Sequence, residues 1–372
     1  MKSYFTLIIF VLLFGCRKND LQEDITDYSR GTNIATRWGD LTLDVIKTSY
    51  RNTPTYSSRS LGYMGLCMYE CVVHSDSSKK SLYGQLNGLS NLPSREGGAE
   101  YNWKVALNSG QETLLKLLYP VNKNASENEH NKIDQLAKKI LDKEKTGTSS
   151  ATIDRSIDFG KQVALAIFNW SKNDGGFEGF KNNFDSSFSF PAGASFWVPP
   201  VKGQSPGKLP LHPYWGNNRS FLEQDHLLPI PNAEKYSTDK TSSYYKLYEE
   251  VYVRGLALTQ EEMEIAAWWG DDPSETFSPP GHSYNLVTIA VKQSHASLIK
   301  SAEAYARVGL AVADAFIHCW KSKYKYFNER PSSYIKANIN SEWLPFWPEP
   351  PFPAFPSGHA IQASASAVVL TD

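Results

Sequence analysis

Cysteine is scarce in this sequence, four in 372 residues, and methionine is equally rare. Cys67 and Cys71 lie four apart, Cys319 is remote, and Cys16 closes the leading apolar run. That set builds no disulfide framework, and no histidine or second cysteine pair stands at the spacing of a zinc site. Cys67 and Cys71 are expected to be buried free thiols on one face of a helix. A surplus of either charge is also missing. Lys and Arg number 38 against 39 Asp and Glu, a net −1, so there is no electrostatic footprint for a nucleic-acid partner. The leading apolar run, Tyr4 to Phe14, is too short to span a bilayer. A Walker loop, a His-Glu-x-x-His helix and a nucleophile elbow are absent as well. Few segments alternate apolar and polar at the period of a strand.

What is present is helical. Helices are expected over Asn33 to Thr48, Ser60 to Val73, Glu100 to Leu118, Lys132 to Asp142 and Ser149 to Asn173, with a polar loop from Asn122 to His130. Asp174 to Ser242 shifts to Gly, Pro, Asn and aromatics, a loop too long to be an idle connector. Helices resume at Ser243 to Leu256, and at Thr259 to Trp269 behind a Thr259/Glu262 capping box. Gly270 to Gly281 is read as a loop, and Tyr284 to Gln293, Ser297 to Lys325 and His359 to Leu370 as helices. Val308 to Ile317 is apolar nearly all round, which marks a buried central helix. On it Asp314 and His318 are expected to form a structural pair, while His282 is read as a helix cap.

The start of the chain carries an address. Lys2, the apolar run and Gly15-Cys16 resemble a secretory signal ending in a bacterial lipoprotein cleavage box. Residues 1–15 are therefore expected to be a signal peptide, Cys16 the lipidation site and 16–31 a tether. The body, 32–242 followed by 243–372, would hang from a membrane, at the outer membrane or facing the periplasm.

Lys323 and Arg330 stand seven apart with Pro331 after the second, and Pro356-Ser357-Gly358-His359 opens the last helix. A point charge, a planar fork of donors and a Ser-Gly helix start are complementary ways to hold a tetrahedral oxyanion. A histidine beside them can move a proton near neutral pH. Each residue has a plainer reading: Lys323 and Arg330 as surface charges, Ser357 as a helix cap. Their combination in this order favours the anion.

Lys-x6-Arg-Pro followed by Pro-Ser-Gly-His resembles the superfamily of type 2 phosphatidic acid phosphatases and vanadium haloperoxidases, and most closely its haloperoxidase branch. Trp320 three residues before the lysine and Phe352 five before the serine fit that branch. The resemblance implies an all-α fold of helical bundles, the second bundle incomplete. It implies vanadate held by Lys323, Arg330, Ser357 and Gly358, with His359 as acid-base group and Lys323 polarising bound peroxide. Trp320 and Phe352 would be halide-site selectors or wall residues, and Asp272 would be a supporting acid with Asp271 as rival. The partners would be hydrogen peroxide and a halide. The same cradle could instead take phosphate, giving hydrolysis of a phosphate ester through a phosphohistidine. The family's third motif, an Arg and then a His, does not occur in the thirteen residues after His359. The expectation is a fragment of a longer product or a shortened, non-catalytic surface lipoprotein.

Overall fold

A computed structural model describes residues 33–200, 208–223, 229–272 and 274–371. The signal peptide, the tether and the lipidation site Cys16 lie outside these residues. The described chain is all-α, with only isolated β-bridges besides its helices. In order the helices are α1 (Ile34–Thr48), α2 (Pro54–Glu70), α3 (Trp103–Leu118), α4 (Glu127–Glu144) and α5 (Ser150–Ser171). After the long loop come α6 (Ser243–Gly255), α7 (Gln260–Trp268), α8 (Ser278–Ser294), α9 (Leu298–Tyr326), α10 (Pro331–Asn338) and α11 (Gly358–Thr371). No described helix is long and apolar enough to cross a membrane.

Several starts differ from the sequence reading, each for a local reason. α2 begins at Pro54 because the Thr53 hydroxyl caps it and proline suits the first turn. α4 begins inside the expected polar loop, where Ser126 and Glu129 form a capping box. α8 begins at Ser278-Pro279-Pro280, again with proline in its first turn. His282 therefore lies within a helix and is not a cap.

The core is built on α9 crossing α2. Glycines allow backbone to touch backbone there. A Cβ on Gly65 would sit 2.4 Å from the Tyr305 carbonyl oxygen, and one on Gly309 2.6 Å from that of Leu61. Cys67 and Cys71 are buried free thiols facing this core, their sulfurs 4.0 Å apart.

Three buried polar anchors fasten the long loop. At its start Asp174 accepts from Arg59 Nε at 2.6 Å, Tyr63 OH at 2.8 Å and Gly176 N at 2.8 Å. Near its middle Asp314 of α9 accepts from the Phe221 and Leu222 amides at 2.7 and 2.9 Å. Burial pushes the Asp314 carboxyl up to about 6. The expected Asp314–His318 pair is not formed: the carboxylate is occupied by loop backbone, and His318 Nε2 is buried without a hydrogen-bond partner among the described residues.

The third anchor is His212, at a φ of 48°. Its Nε2 bonds the Gly179 carbonyl and its Nδ1 the Thr55 hydroxyl, while the ring stacks on Trp215 at 4.8 Å. The carbonyl can only accept, so Nε2 carries the proton and Nδ1 accepts from Thr55. Burial pushes this imidazole down from 6.5 to about 4. Between those values the unfolded chain binds a proton that the folded chain refuses, so stability falls as pH is lowered. The urea midpoint should drop between pH 7 and 5 by the equivalent of about 2 kcal/mol, and His212→Asn should flatten that dependence. An equal slope in the variant would show that other groups carry it.

Candidate active site

The last turns of α9 bring Trp320 and Lys323 to the end of the core, where both are 1% exposed. The helix stops at Phe327, whose left-handed backbone returns its N–H to the Lys323 carbonyl. Three residues later Arg330 precedes Pro331, the first residue of α10. The proline-rich segment 345–357 then crosses both cations. Lys323 Nζ donates to the Pro353 and Ala354 carbonyls at 2.7 and 2.9 Å, and Arg330 Nε to the Phe352 carbonyl at 2.7 Å. Each cationic head also lies 5.0 Å from the centre of the Phe352 ring, and Trp320 packs 5.1 Å from that ring.

Lys323 has two carbonyls and an aromatic face, and no carboxylate ion pair among the described residues. Burial pulls its ammonium from 10.5 down to about 7; Arg330 lowers it further, against the opposing pull of Cys319. Burial also lowers Arg330 to about 10, with Glu349 and Tyr324 opposing. Glu349 is itself engaged by the Ser332 hydroxyl and amide. Two desolvated cations together, with no salt-bridged carboxylate on either among the described residues, form a site that gains from binding an anion.

Ser357 sits where α11 begins, its Oγ accepting from Ala360 N at 3.3 Å and its carbonyl from Ile361 N at 3.1 Å. A Cβ on Gly358 would meet nothing within 4 Å, so the bare glycine borders open space. Desolvation pulls the His359 imidazole below the ordinary range, with Asp271 and the Trp269 carbonyl opposing and His282 and Lys323 adding to the depression.

All eight of the sequence-derived pocket residues, Trp320, Lys323, Arg330, Phe352, Ser357, Gly358, His359 and Asp272, line one cavity of about 580 Å³. Asp271 lines it too and is the more buried of the two acids, 3% exposed. The sequence reading did not assign Leu211 or His282 to the site. Leu211 reaches the wall from the long loop: its N–H donates to the Pro351 carbonyl, and its own carbonyl accepts from Trp320 Nε1 and Tyr324 OH. His282 is 4% exposed and holds Asp271 through Nδ1. Only the adjacency of Trp269, Asp271 and His282 to the motif in space, not in sequence, reveals this group.

A family profile described as the VCPO second helical-bundle domain matches residues 303–372, the span that carries the pocket motifs. A curated protein, vanadium chloroperoxidase of Curvularia inaequalis, is 26% identical over 208 residues, 45% of this chain and 34% of that protein. The proteins this chain matches are vanadium haloperoxidases. This match spans about a third of the curated relative's length. Among solved structures, a bacterial vanadium-dependent iodoperoxidase superposes with a TM-score of 0.76 at 27% identity, covering 91% of this chain and 79% of that one. A bacterial vanadium-dependent chloroperoxidase shares the fold in its apo form, with a TM-score of 0.63, 15% identity and 86% and 77% coverage. Its holo form gives 0.61, 16%, 86% and 76%. The helical architecture of this haloperoxidase-like chain is thus that of the branch its motifs resemble.

Proposed function

We propose that the cavity binds vanadate and oxidises a halide with hydrogen peroxide. The observation that carries this reading is the convergence of Lys323 and Arg330 around Phe352, both desolvated, beside an uncrowded Gly358 at the start of α11. Those donors fit a tetrahedral oxyanion: two charged side chains, a hydroxyl at Ser357 and unhindered backbone at Gly358. When bound, vanadate activates hydrogen peroxide toward two-electron oxidation of a halide.

The chain's own residues supply what surrounds that chemistry. Lys323 and Arg330 would hold the oxyanion and offset negative charge that builds on it, in a setting where a charge acts more strongly than in water. His359, depressed below the ordinary imidazole range, stands neutral at pH 7 and can accept a proton from hydrogen peroxide. The Trp320 and Phe352 rings close one side of the cavity and keep water from it. They leave an apolar, cation-backed surface suited to a large, weakly hydrated halide.

The test is bromination or iodination of monochlorodimedone by the purified chain. We expect turnover that requires both orthovanadate and hydrogen peroxide and that falls at least about a hundredfold in Arg330→Met, the loss of one charged donor to the reacting group. Halide oxidation indifferent to vanadate overturns the reading. So does hydrolysis of a phosphate ester that vanadate blocks, or silence in both assays.

A further inference from the structure

Glu349 does not line the cavity, although Pro348 and Pro350 on either side of it do. Its buried side chain reaches instead to the start of α10, where Ser332 gives it two bonds, one from the backbone N–H at 3.3 Å and one from the hydroxyl. That N–H is one of the donors a helix start leaves without an intrahelical partner, and a carboxylate suits that end of the helix dipole. Arg330 stands two residues before Ser332, and Phe352 three residues after Glu349. The Arg330 carbonyl accepts from the Ser333 and Tyr334 amides at 3.0 and 3.3 Å, so its backbone belongs to the first turn of α10. Its Nε donates to the Phe352 carbonyl at 2.7 Å, and its guanidinium lies 5.0 Å from the centre of the Phe352 ring. The four residues therefore close a ring: along the chain from Arg330 to Ser332, across to Glu349, through Pro350 and Pro351 to Phe352, and back to Arg330. The two prolines have φ fixed by their own rings, and the Phe352 N–H turns back to the Pro350 carbonyl at 2.9 Å.

We propose that Glu349 is a positioning residue for Arg330. By clasping Ser332 at the start of α10, its carboxylate holds the Phe352 carbonyl against Arg330 Nε and so fixes the plane of the guanidinium that borders the cavity. Glu349 itself touches no reacting group and acts only through this ring of contacts. The use of Arg330 to hold an oxyanion rests on the function proposed above; its orientation does not.

Solvent exchange of the Arg330 Nε–H tests this, followed by nuclear magnetic resonance on the full chain with isotope-labelled arginine and without vanadate. Arg330→Lys assigns the signal. The Arg59 Nε–H, held by Asp174 at 2.6 Å outside the cavity, is the internal reference. Glu349→Ala should speed exchange at Arg330 about fivefold, the equivalent of one lost hydrogen bond, and leave Arg59 unchanged. Glu349→Gln keeps an oxygen for the Ser332 N–H and should stay near the wild-type rate. An unchanged Arg330 rate in folded Glu349→Ala overturns the proposal. So does equal acceleration at Arg59, the mark of a general loosening. A Glu349→Gln variant as fast as Glu349→Ala overturns it too, because charge and not the clasp would then carry the effect. If Glu349→Ala does not fold, Ser332→Ala carries the same expectation and the same refutation, since it removes the hydroxyl bond to Glu349. Orthovanadate binding is measured separately by thermal shift. Its absence in the wild type would count against the proposed function and leave the exchange result standing.

Discussion

Replacing Lys323 with methionine should raise the melting temperature of the anion-free protein and abolish its stabilisation by orthovanadate. The ammonium is fully buried, and its fall from 10.5 to about 7 measures the cost of charging it there. At about 1.4 kcal/mol per unit, that cost is on the order of 4 to 5 kcal/mol. It is fully present below pH 7, where folded and unfolded chains both carry the proton. It fades between pH 7 and 10.5, where the unfolded chain still holds a proton that the folded chain has released. The wild type should therefore gain stability as pH rises through that window, and Lys323→Met should not. Methionine keeps most of the stem's packing, so the variant recovers most of the penalty, about 5 °C in melting temperature for a chain of this length. An anion that binds only the folded state stabilises the wild type by about 2.7 kcal/mol at a hundred times its Kd. Calorimetry with and without orthovanadate reads both effects. A variant that melts lower, or that still responds to the anion, would remove the cation from the centre of the site.

Asp174→Ala should cost about 4 kcal/mol although Asp174 lies outside the cavity. Its carboxylate neutralises Arg59, and the two side chains are 4% and 5% exposed. Alanine would strand that guanidinium in the core and free the Tyr63 hydroxyl and the Gly176 amide together. The same loop carries Leu211 to the cavity wall, so loss of its first anchor should weaken orthovanadate binding too. Urea unfolding measures the stability. Pairing the change with Arg59→Met should recover much of it, because the uncompensated charge is the expensive part. A loss below about 1 kcal/mol would mean that Arg59 finds water when its partner is gone.

The residues of the proposed anion cradle are legible in the chain because they are close in sequence and stand at helix ends. Lys323 and Trp320 share one turn of α9, Arg330 directly precedes the helix-starting Pro331, and Ser357 opens α11. The periodicity of α9 likewise announced a buried helix. Starts set by capping were harder. Ser126 with Glu129, and the prolines at 54, 279 and 331, lie in stretches whose polarity or proline content reads as loop, yet each begins a helix. α10 was missed for that reason. Contacts that join distant segments left no periodic trace. Asp314 has a turn-mate at His318, but its hydrogen bonds go to backbone 92 and 93 residues away. Asp271 and His282 face each other across a helix start at Ser278, inside the Gly270 to Gly281 stretch whose composition reads as loop.

The peptide groups of Leu211 are clasped from both sides, by Pro351 through the N–H and by Trp320 and Tyr324 through the carbonyl. Swinging that part of the loop aside would break three hydrogen bonds together, on the order of 3 kcal/mol. The wall at Leu211 is therefore a fixed jamb and not a door. If the cavity works as proposed, whatever enters it passes a standing wall at Leu211, with no hinge to wait for on that side.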